Sequence, residues 1–332
     1  MRLARLAFLA GIVAAIAVPG QAGAKVRLSL STWGSPKHPQ VSEFVDRFTK
    51  AVEEQTKGEI TFKVFAGGEM VKQQFVSTAV PQGTVDISLT TLDTWSGRIP
   101  EVSATVSPLW PYSMQMARDD FLPGKPIFEY YNKRLQANGA VLLTLIDIGS
   151  PVLSSRSKIV KPEDIVGKTI RTYSKGASEL LQAVGASPVT MGVGDVYAAL
   201  QRGAVEGALG GIQGAVGLKH YEVTKYVMVP NGLFGTLVHA YVMNKDKWDS
   251  LTPAQRKIVQ DAATAARNHS EDFMIASYGK FVQVFRDKGL EVTEVKPGSD
   301  TWKLWQAKLK PLAERDRKRY PAQLIKLLEE AK

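Results

Sequence analysis

The sequence predicts an α/β protein of two lobes, each a mixed sheet flanked by helices, with one long helix spanning both lobes. Two observations support this fold class. Strand and helix patterns alternate through the first two thirds of the chain, and one late helical pattern is longer than a single lobe. The length agrees with two lobes, because a chain of 332 residues exceeds the ~250–300 residues at which one hydrophobic core usually divides.

Near the N-terminus the pattern is β-α-β-α-β. Alternating apolar and polar residues indicate strands, and apolar residues that recur every three or four positions indicate helices. This order implies a largely parallel sheet with crossover helices, and ligands of such sheets bind at the carboxyl ends of the strands. The predicted strands are 26–31, 60–65 and 85–90, and the predicted helices are 41–57 and 70–80.

The middle of the chain predicts a second unit of the same type. Asp195 is expected to cap its second helix and Gly203 to end it. Six glycines between 203 and 217 indicate backbone freedom or close approach rather than a packed helix. The predicted strands are 141–146, 152–155, 168–173 and 187–191, and the predicted helices are 177–184 and 196–202.

The longest element is predicted late in the chain. Thr252, Pro253 and Gln255 supply an N-cap, a first-turn proline and a capping-box partner, and Gly289 marks the end. A helix over 253–288 would extend about 54 Å, whereas a lobe of this size measures roughly 30–40 Å across. The helix is therefore expected to cross both lobes, so the lobes are interleaved along the chain. The first lobe is predicted as 25–148 plus 235–275 and the second as 149–234 plus 276–332, with further short helices at 302–309 and 322–330.

Residues 1–24 have the pattern of a secretory signal peptide. Arg2 and Arg5 form a positive start, an apolar stretch covers 6–18, and Ala-Gly-Ala at 22–24 has the form of a cleavage site. The apolar stretch is too short to span ~30 Å of hydrocarbon as a helix. The mature chain is therefore predicted to lie in the periplasm, and loss of the two arginines lowers the formal charge of +10 by two.

Absent residues and motifs exclude much catalytic chemistry. The chain has no Cys, which removes disulfides, zinc-thiolate sites, iron–sulfur clusters and cysteine nucleophiles. Its four histidines are far apart in sequence, with no partner three or four positions away, so each is interpreted as structural or on the surface. No catalytic, metal or cofactor site is predicted, which favours binding over catalysis; an exported enzyme acting on a small anion is the alternative. The histidines are His38, His220, His239 and His269.

The excess of positive charge is spread along the chain. The densest cluster, 315–319, contains four basic residues with Asp316 between them. We interpret it as solvated helix surface, with a docking surface for a membrane partner as the alternative. Export also separates the chain from cytoplasmic nucleic acid, so no nucleic-acid partner is predicted.

The most specific signal is an ordered set of short segments. They are GEITFKVFAGG at 58–68, GTVD at 83–86, GKTIR at 167–171, VGASPVTM at 184–191, DVYAALQRGAVEG at 195–207, YEVTKY at 221–226 and NKDKW at 244–248. With the signal peptide before it, this set resembles the extracytoplasmic solute-binding proteins of tripartite ATP-independent periplasmic (TRAP) transporters, the dicarboxylate-binding-protein family. The resemblance covers essentially all of the predicted mature chain.

The resemblance implies a periplasmic binding protein fold whose two lobes close on an organic acid anion and deliver it to the membrane subunits of a TRAP transporter. It also implies a role for Arg171, which ends the GKTIR segment and matches the family arginine that pairs with the substrate carboxylate. A guanidinium suits this role because it stays charged and can hold a carboxylate through two parallel hydrogen bonds. A sensor partner with the same fold is the alternative role.

Departures from the dicarboxylate and sialic-acid members indicate a less polar ligand side. Pro151 stands where many members place a second arginine, and Gly210 stands near a position that often supplies an asparagine. An apolar or aromatic ligand body would find room beside a group of aromatic residues. These are Trp33, Tyr173, Trp95 and Phe234.

Three threonines complete the predicted site, because they follow or end first-lobe strands and could donate hydrogen bonds. The predicted ligand-binding residues are Arg171, Trp33, Thr32, Thr90, Thr91, Tyr173, Gly210 and Phe234.

Overall fold

The structure, a computed structural model, describes residues 25–110 and 113–331, and the predicted signal peptide at 1–24 lies outside the described residues. The strands are β1 (Val26–Ser31), β2 (Ile60–Phe65), β3 (Ile87–Thr91), β4 (Ala140–Asp147), β5 (Val152–Ser155), β6 (Thr169–Thr172), β7 (Ser187–Thr190), β8 (Gly207–Gly210), β9 (Tyr226–Val229), β10 (Val238–Asn244) and β11 (Glu291–Glu294). The α-helices are α1 (Pro39–Ser42), α2 (Val45–Gln55), α3 (Val76–Ala79), α4 (Met114–Asp120), α5 (Pro126–Ala137), α6 (Lys175–Ala183), α7 (Val196–Gln201), α8 (Ile212–Gly217), α9 (Lys245–Ser250), α10 (Pro253–Asp287), α11 (Asp300–Arg319) and α12 (Ala322–Glu330).

Two mixed sheets organise these elements. The five-stranded sheet has the order β2-β1-β3-β10-β4, and the six-stranded sheet has the order β11-β9-β5-β8-β6-β7. In the first sheet β1 is parallel to β2 and β3, whereas β10 is antiparallel to β3 and β4. We call the part of the chain around the first sheet the first lobe and the part around the second sheet the second lobe. The predicted fold class is confirmed.

The chain passes between the two sheets more than once. It leaves the first sheet after β4, returns from β9 to β10, and leaves again along α10 to reach β11. The lobes are therefore interleaved along the sequence. The exact residues at which one lobe ends and the other begins remain a prediction. The last helix, α12, packs against α5 of the first lobe, whereas the predicted bounds group 276–332 with the second.

The long helix α10 packs against both lobes and so connects them. It contains 35 residues and begins with the predicted capping box, in which Thr252 and Gln255 bond reciprocally. It contacts α2 and β4 in the first lobe and α8 and β11 in the second. Several of the residues it buries in its first half are small, including Ala262, Ala263 and Ala266, so other elements can approach its backbone closely there. The predicted helix across both lobes is confirmed.

Hydrophobic cores on both sheets fix the strand ends that face the cleft. In β1 the side chains of Leu28 and Leu30 are fully buried, as expected from their alternation. All eight residues of β4 are buried although it is an edge strand, because β10 pairs with one side of it and α4, α5 and α10 pack against it. Burial of this kind holds the register of each strand and hence the position of its last residues.

Several predicted elements differ from those observed. The predicted helix 41–57 is interrupted between α1 and α2, and the predicted helix 70–80 contains only a 3₁₀ turn followed by α3. Asp195 does not cap α7: its backbone is already helical, with φ −90° and ψ −12°, whereas an N-cap residue needs an extended backbone. The glycine-rich stretch also contains the packed helix α8, which its composition did not predict.

Helix α11 extends well beyond its predicted end. The prediction covered 302–309, whereas the helix runs from Asp300 through Pro311 to Arg319. Leu309 and Leu312 are buried on either side of the proline, so tertiary packing outweighs its local cost. At the end of this helix Arg315 and Arg319 pair with Glu179 at 2.8 Å and 2.7 Å.

Candidate ligand-binding site

A cavity lies between the lobes where strand ends from both sheets meet. It is reached by Trp33 after β1, Thr91 at the end of β3, Arg171 in β6 and Gly210 at the end of β8. The antiparallel strand β10 contributes His239 near its start, at the same edge. The cavity measures about 40 Å³, several times the ~10–15 Å³ that one water needs. Its position agrees with the expectation that ligands bind at the carboxyl ends of strands.

Arg171 is the buried cation of this cavity, with 4% of its surface exposed. Its Nε and Nη2 donate to the carbonyl of Met191 at 3.2 Å and 2.9 Å, and Nη1 donates to the carbonyl of Leu209 at 3.2 Å. Among the described residues, no carboxylate lies within 4 Å of its guanidinium. Burial lowers the pKa of Arg171 to about 10, so the group remains charged at neutral pH. A buried charge without a counter-ion is costly, and an anion placed beside it would compensate that cost.

Two N–H groups of Arg171 remain for such an anion. A guanidinium carries five N–H donors in a planar fork, and three of them point to the backbone carbonyls just described. These carbonyls fix the plane of the fork without neutralising it. Gly210 keeps the space beside it open, because a Cβ there would lie 3.5 Å from Nη1 of Arg171.

Three of the four histidines also line the cavity, namely His38, His220 and His239. The interpretation of each histidine as structural or on the surface missed this convergence. Burial lowers the pKa of His38 and of His220 to about 4 and lowers that of His239 well below its usual value, so all three are neutral at pH 7. The ring of Trp33 meets His38 edge-on at 4.9 Å and His239 at 5.2 Å. The first-lobe wall is therefore aromatic, polar and uncharged.

Several buried polar atoms of the cavity wall have no hydrogen-bond partner within the described residues. Such atoms normally find partners, since an unpaired buried donor or acceptor costs free energy. Their concentration around one cavity marks it as a place where a polar molecule can bind. They are Nε1 of Trp33, Oη of Tyr173, both amide atoms of Gln213, both ring nitrogens of His220 and Nδ1 of His239.

Known proteins resemble the chain in sequence and in fold. Residues 30–318 match the model of DctP, described as bacterial extracellular solute-binding protein, family 7. The chain belongs to this family. The 2,3-diketo-L-gulonate-binding periplasmic protein YiaO of Escherichia coli (strain K12) is 24% identical over 248 residues, which cover 74% of each chain.

Solved structures agree with the DctP-family fold. DctP7 of Bordetella pertussis, an extracytoplasmic solute receptor binding pyroglutamic acid, aligns with a TM-score of 0.83 at 19% identity over 92% of this chain and 99% of that chain. A TRAP periplasmic solute-binding protein of Sulfurospirillum deleyianum with bound succinate aligns with a TM-score of 0.82 at 22% identity over 93% and 100%. The predicted resemblance to TRAP solute-binding proteins is confirmed. The prediction of a periplasmic binding protein rather than an enzyme is confirmed with it.

The cavity between the lobes includes five of the eight predicted ligand-binding residues. The sequence prediction and the cavity share Trp33, Thr91, Arg171, Tyr173 and Gly210. Thr91 also accepts a hydrogen bond from Nε2 of Gln73 at 2.6 Å. The side chain of Gln73 thereby joins the wall, although no feature of the sequence marked it.

The other three predicted residues do not line the cavity. Thr32 donates to the carbonyl of Gly34 at 2.9 Å, which holds the turn that carries Trp33. Thr90 accepts a hydrogen bond from Nε1 of Trp95 at 3.2 Å. Phe234 is fully buried and meets Trp305 edge-on at 5.3 Å. Their side chains stabilise the structure around the site, and so does Trp95.

A wider chamber of about 240 Å³ adjoins the cavity. Trp33, His38 and Gln73 line both spaces. Lys72 and Asp195 line the chamber but not the cavity. These two charged residues are exposed, so water screens them. The chamber therefore adds room without adding a buried charge.

Residues 25–110 and 113–331 contain no group of three or more His, Cys, Asp or Glu side chains placed to hold a metal ion. No helix in these ranges is both long and apolar enough to cross a membrane.

Proposed function

We propose that the cavity binds a small organic acid, that Arg171 holds its carboxylate, and that the protein passes this acid to the membrane subunits of a TRAP transporter. The observation that carries the proposal is the buried guanidinium of Arg171, which has two free N–H groups and no acidic partner within the described residues. A carboxylate would supply the missing charge and accept both hydrogen bonds.

The relatives support a carboxylate ligand. Pyroglutamic acid, succinate and 2,3-diketo-L-gulonate are named for three of them, and each of these molecules carries at least one carboxylate. The common feature is an acid group on otherwise different bodies. A site that recognises the acid by one arginine and the body by other wall residues would accommodate such variety within one fold.

Binding would favour the closed arrangement of the lobes. Arg171 and Gln213 belong to the second lobe, whereas Trp33 and His239 belong to the first. A ligand that contacts both walls interacts better with the closed than with the open state, and only that difference can shift the equilibrium. The crossings after β4 and before β10, together with α10, are where the backbone would absorb the motion.

A thermal-shift screen of mono- and dicarboxylates tests the proposal. A ligand present at a hundred times its Kd stabilises a protein by about 2.7 kcal/mol, so a bound acid should raise the melting temperature visibly. In Arg171→Ala the same acid should lose about 1.5–3 kcal/mol of binding free energy, the value of a hydrogen bond to a charged group. Calorimetry on the acid with the largest shift measures this loss.

The matched control is Arg315→Ala, which removes a half-exposed arginine of α11 outside the cavity. It should leave ligand affinity unchanged. Undiminished affinity of Arg171→Ala would contradict the proposal. Delivery is tested separately: uptake of the acid into vesicles that contain the membrane subunits should require this protein, and uptake without it would contradict that part.

A further inference from the structure

We infer that the cavity is selective for a monocarboxylate whose remaining body is uncharged but carries hydrogen-bonding groups. This inference rests on the proposed function, because it takes Arg171 as the carboxylate partner. It goes further by predicting that a second carboxylate is rejected, and that a purely aliphatic acid is bound less well.

The charges around the cavity support the first part. Of the described residues that line it, Arg171 alone carries a fixed charge. The three histidines are neutral at pH 7, because burial lowers their pKa values. No described carboxylate pairs with them there; the histidine that does pair with an acid, His269 with Glu43 at 2.8 Å, lies outside the cavity.

One buried cation compensates one carboxylate. A second carboxylate on the same ligand would leave water without gaining a counter-charge, which is strongly unfavourable. Lys72 in the adjoining chamber does not remove this cost, because it is exposed and Asp195 of opposite charge shares the chamber. The cavity therefore discriminates by charge against a diacid of the same shape.

Polar atoms on both walls support the second part. The second lobe presents both ring nitrogens of His220 and both amide atoms of Gln213, and the first lobe presents Nε1 of Trp33 and Nδ1 of His239, all without a partner among the described residues. A neutral imidazole offers one donor and one acceptor, and a primary amide offers both. Hydroxyl, keto or amide groups on the ligand would satisfy them. An alkyl body would leave them buried and unpaired, which is how polar sites reject apolar analogues.

Matched acids with the same carbon skeleton test both parts. One series is butyrate, 2-hydroxybutyrate and malate, and another is pentanoate, 2-oxopentanoate and 2-oxoglutarate. Calorimetry at pH 7.5 should give the tightest binding for the middle member of a series, by about tenfold or more over the alkyl acid and the diacid. The comparison uses the wild-type protein, so it does not depend on a variant folding.

The outcomes separate this inference from the proposed function. A diacid that binds as tightly as its monoacid, and that loses affinity in Arg171→Ala, overturns the inference and leaves the proposed function standing. Equal binding of the alkyl acid overturns the polar part. If none of these six acids binds, the inference is overturned, and the wider thermal-shift screen still decides the proposed function.

A pair of variants locates the selectivity in the cavity. Gln213→Lys adds a second cation to the wall, so it should raise the affinity for malate relative to 2-hydroxybutyrate by about tenfold. Gln213→Leu introduces a side chain of similar size to glutamine that has no charge and no hydrogen-bonding groups. It should reduce the preference for 2-hydroxybutyrate over butyrate. An unchanged malate ratio in Gln213→Lys would overturn the assignment of selectivity to the charges of this cavity.

Discussion

Two arginines are buried to almost the same degree, but their guanidinium groups have different partners. Arg171 in the cavity is 4% exposed and bonds to backbone carbonyls alone. Arg267 in α10 is 1% exposed, bonds to the carbonyls of Leu145 and Ala117, and also forms an ion pair with Glu271 at 3.1 Å. Arg267 therefore has an acidic partner inside the protein, where burial raises the pKa of Glu271 and Arg267 lowers it. No described carboxylate lies within 4 Å of Arg171, and Asp195, which attracts it from farther away, is exposed.

The difference separates a structural charge from a binding charge. Arg267 lies where β4, α4 and α10 meet, close to the crossing from the first lobe to the second. A second acid, Asp147, completes this cluster at the end of β4, and it accepts hydrogen bonds from Thr236 on the return crossing and from the Gly149 N–H at 2.7 Å. The pairing of Arg267 with Glu271 stabilises the fold at this junction, whereas the space beside Arg171 is left for an anion from solution.

The largest expected effect is on Arg267→Met. Removing one partner of a buried ion pair typically costs about 3–5 kcal/mol, because the other charge stays buried and unpaired. Urea denaturation should show this loss in the free energy of unfolding. The control is Arg118→Met, which breaks a half-exposed pair with Asp272 and should cost no more than about 1 kcal/mol. Equal losses for the two variants would contradict the structural role of Arg267.

A smaller effect, with a defined pH dependence, is expected for Asp147→Asn. Burial raises the pKa of Asp147 to about 6. The folded state then holds this proton more tightly than the unfolded state, so the contribution of Asp147 to stability falls as pH rises from about 4 to 6. Asparagine removes that penalty, so the variant should be more stable than wild type above pH 6 by about 1–3 kcal/mol. The gain should vanish toward pH 4, and urea denaturation across this range measures it.

The matched variant Asp164→Asn should behave in the opposite sense. Burial raises the pKa of the Asp164 carboxyl, but the backbone N–H groups of Lys161 and Val160 outweigh it and lower the pKa. Its ionised form therefore stabilises the fold, and the variant should lose stability at neutral pH. A loss of stability at pH 7.5 in Asp147→Asn as well would contradict the account of the Asp147 cluster.

The smallest effect on stability is expected for Arg171→Met. The variant loses three hydrogen bonds to carbonyls, but it also removes a buried charge that lacks a counter-ion. These contributions oppose each other, so the free energy of unfolding without ligand should change by no more than about 1 kcal/mol. Urea denaturation of Arg171→Met and Arg267→Met under the same conditions measures both changes in the free energy of unfolding. A loss as large as that of Arg267→Met would mean that Arg171 is structural.

The sequence predicted the elements whose signals are local. Capping residues around Thr252 identified the long helix, and alternation identified β1 and β2 with correct bounds. Strands β8, β9, β10 and β11 were not predicted. Short apolar runs such as 238–244 lack a distinguishing period, and β8 lies in the glycine-rich stretch. The predicted helix 302–309 ended before Pro311, whereas α11 continues through it because tertiary packing of Leu312 outweighs the local cost of the proline.

The sequence predicted part of the site. Arg171 was identified through the GKTIR segment and Gly210 through a nearby family position. Trp33 and Tyr173 were proposed as aromatic residues beside the ligand, and Thr91 from its place at the end of a strand. The histidines were missed, because 201 positions separate His38 from His239, and only the pairing of β10 beside β3 brings them together. Gln213 was missed because nothing in its neighbourhood distinguishes it from a surface amide.

The central claim is that Arg171 binds the carboxylate of the ligand. The most direct test is a cycle of four calorimetric titrations, in which the best-binding acid and its primary amide are each measured with wild-type protein and with Arg171→Met. If Arg171 binds the carboxylate, the coupling energy between the carboxylate and the guanidinium should be about 1.5–3 kcal/mol. A coupling energy below about 0.5 kcal/mol, within the range of independent sites, would contradict it.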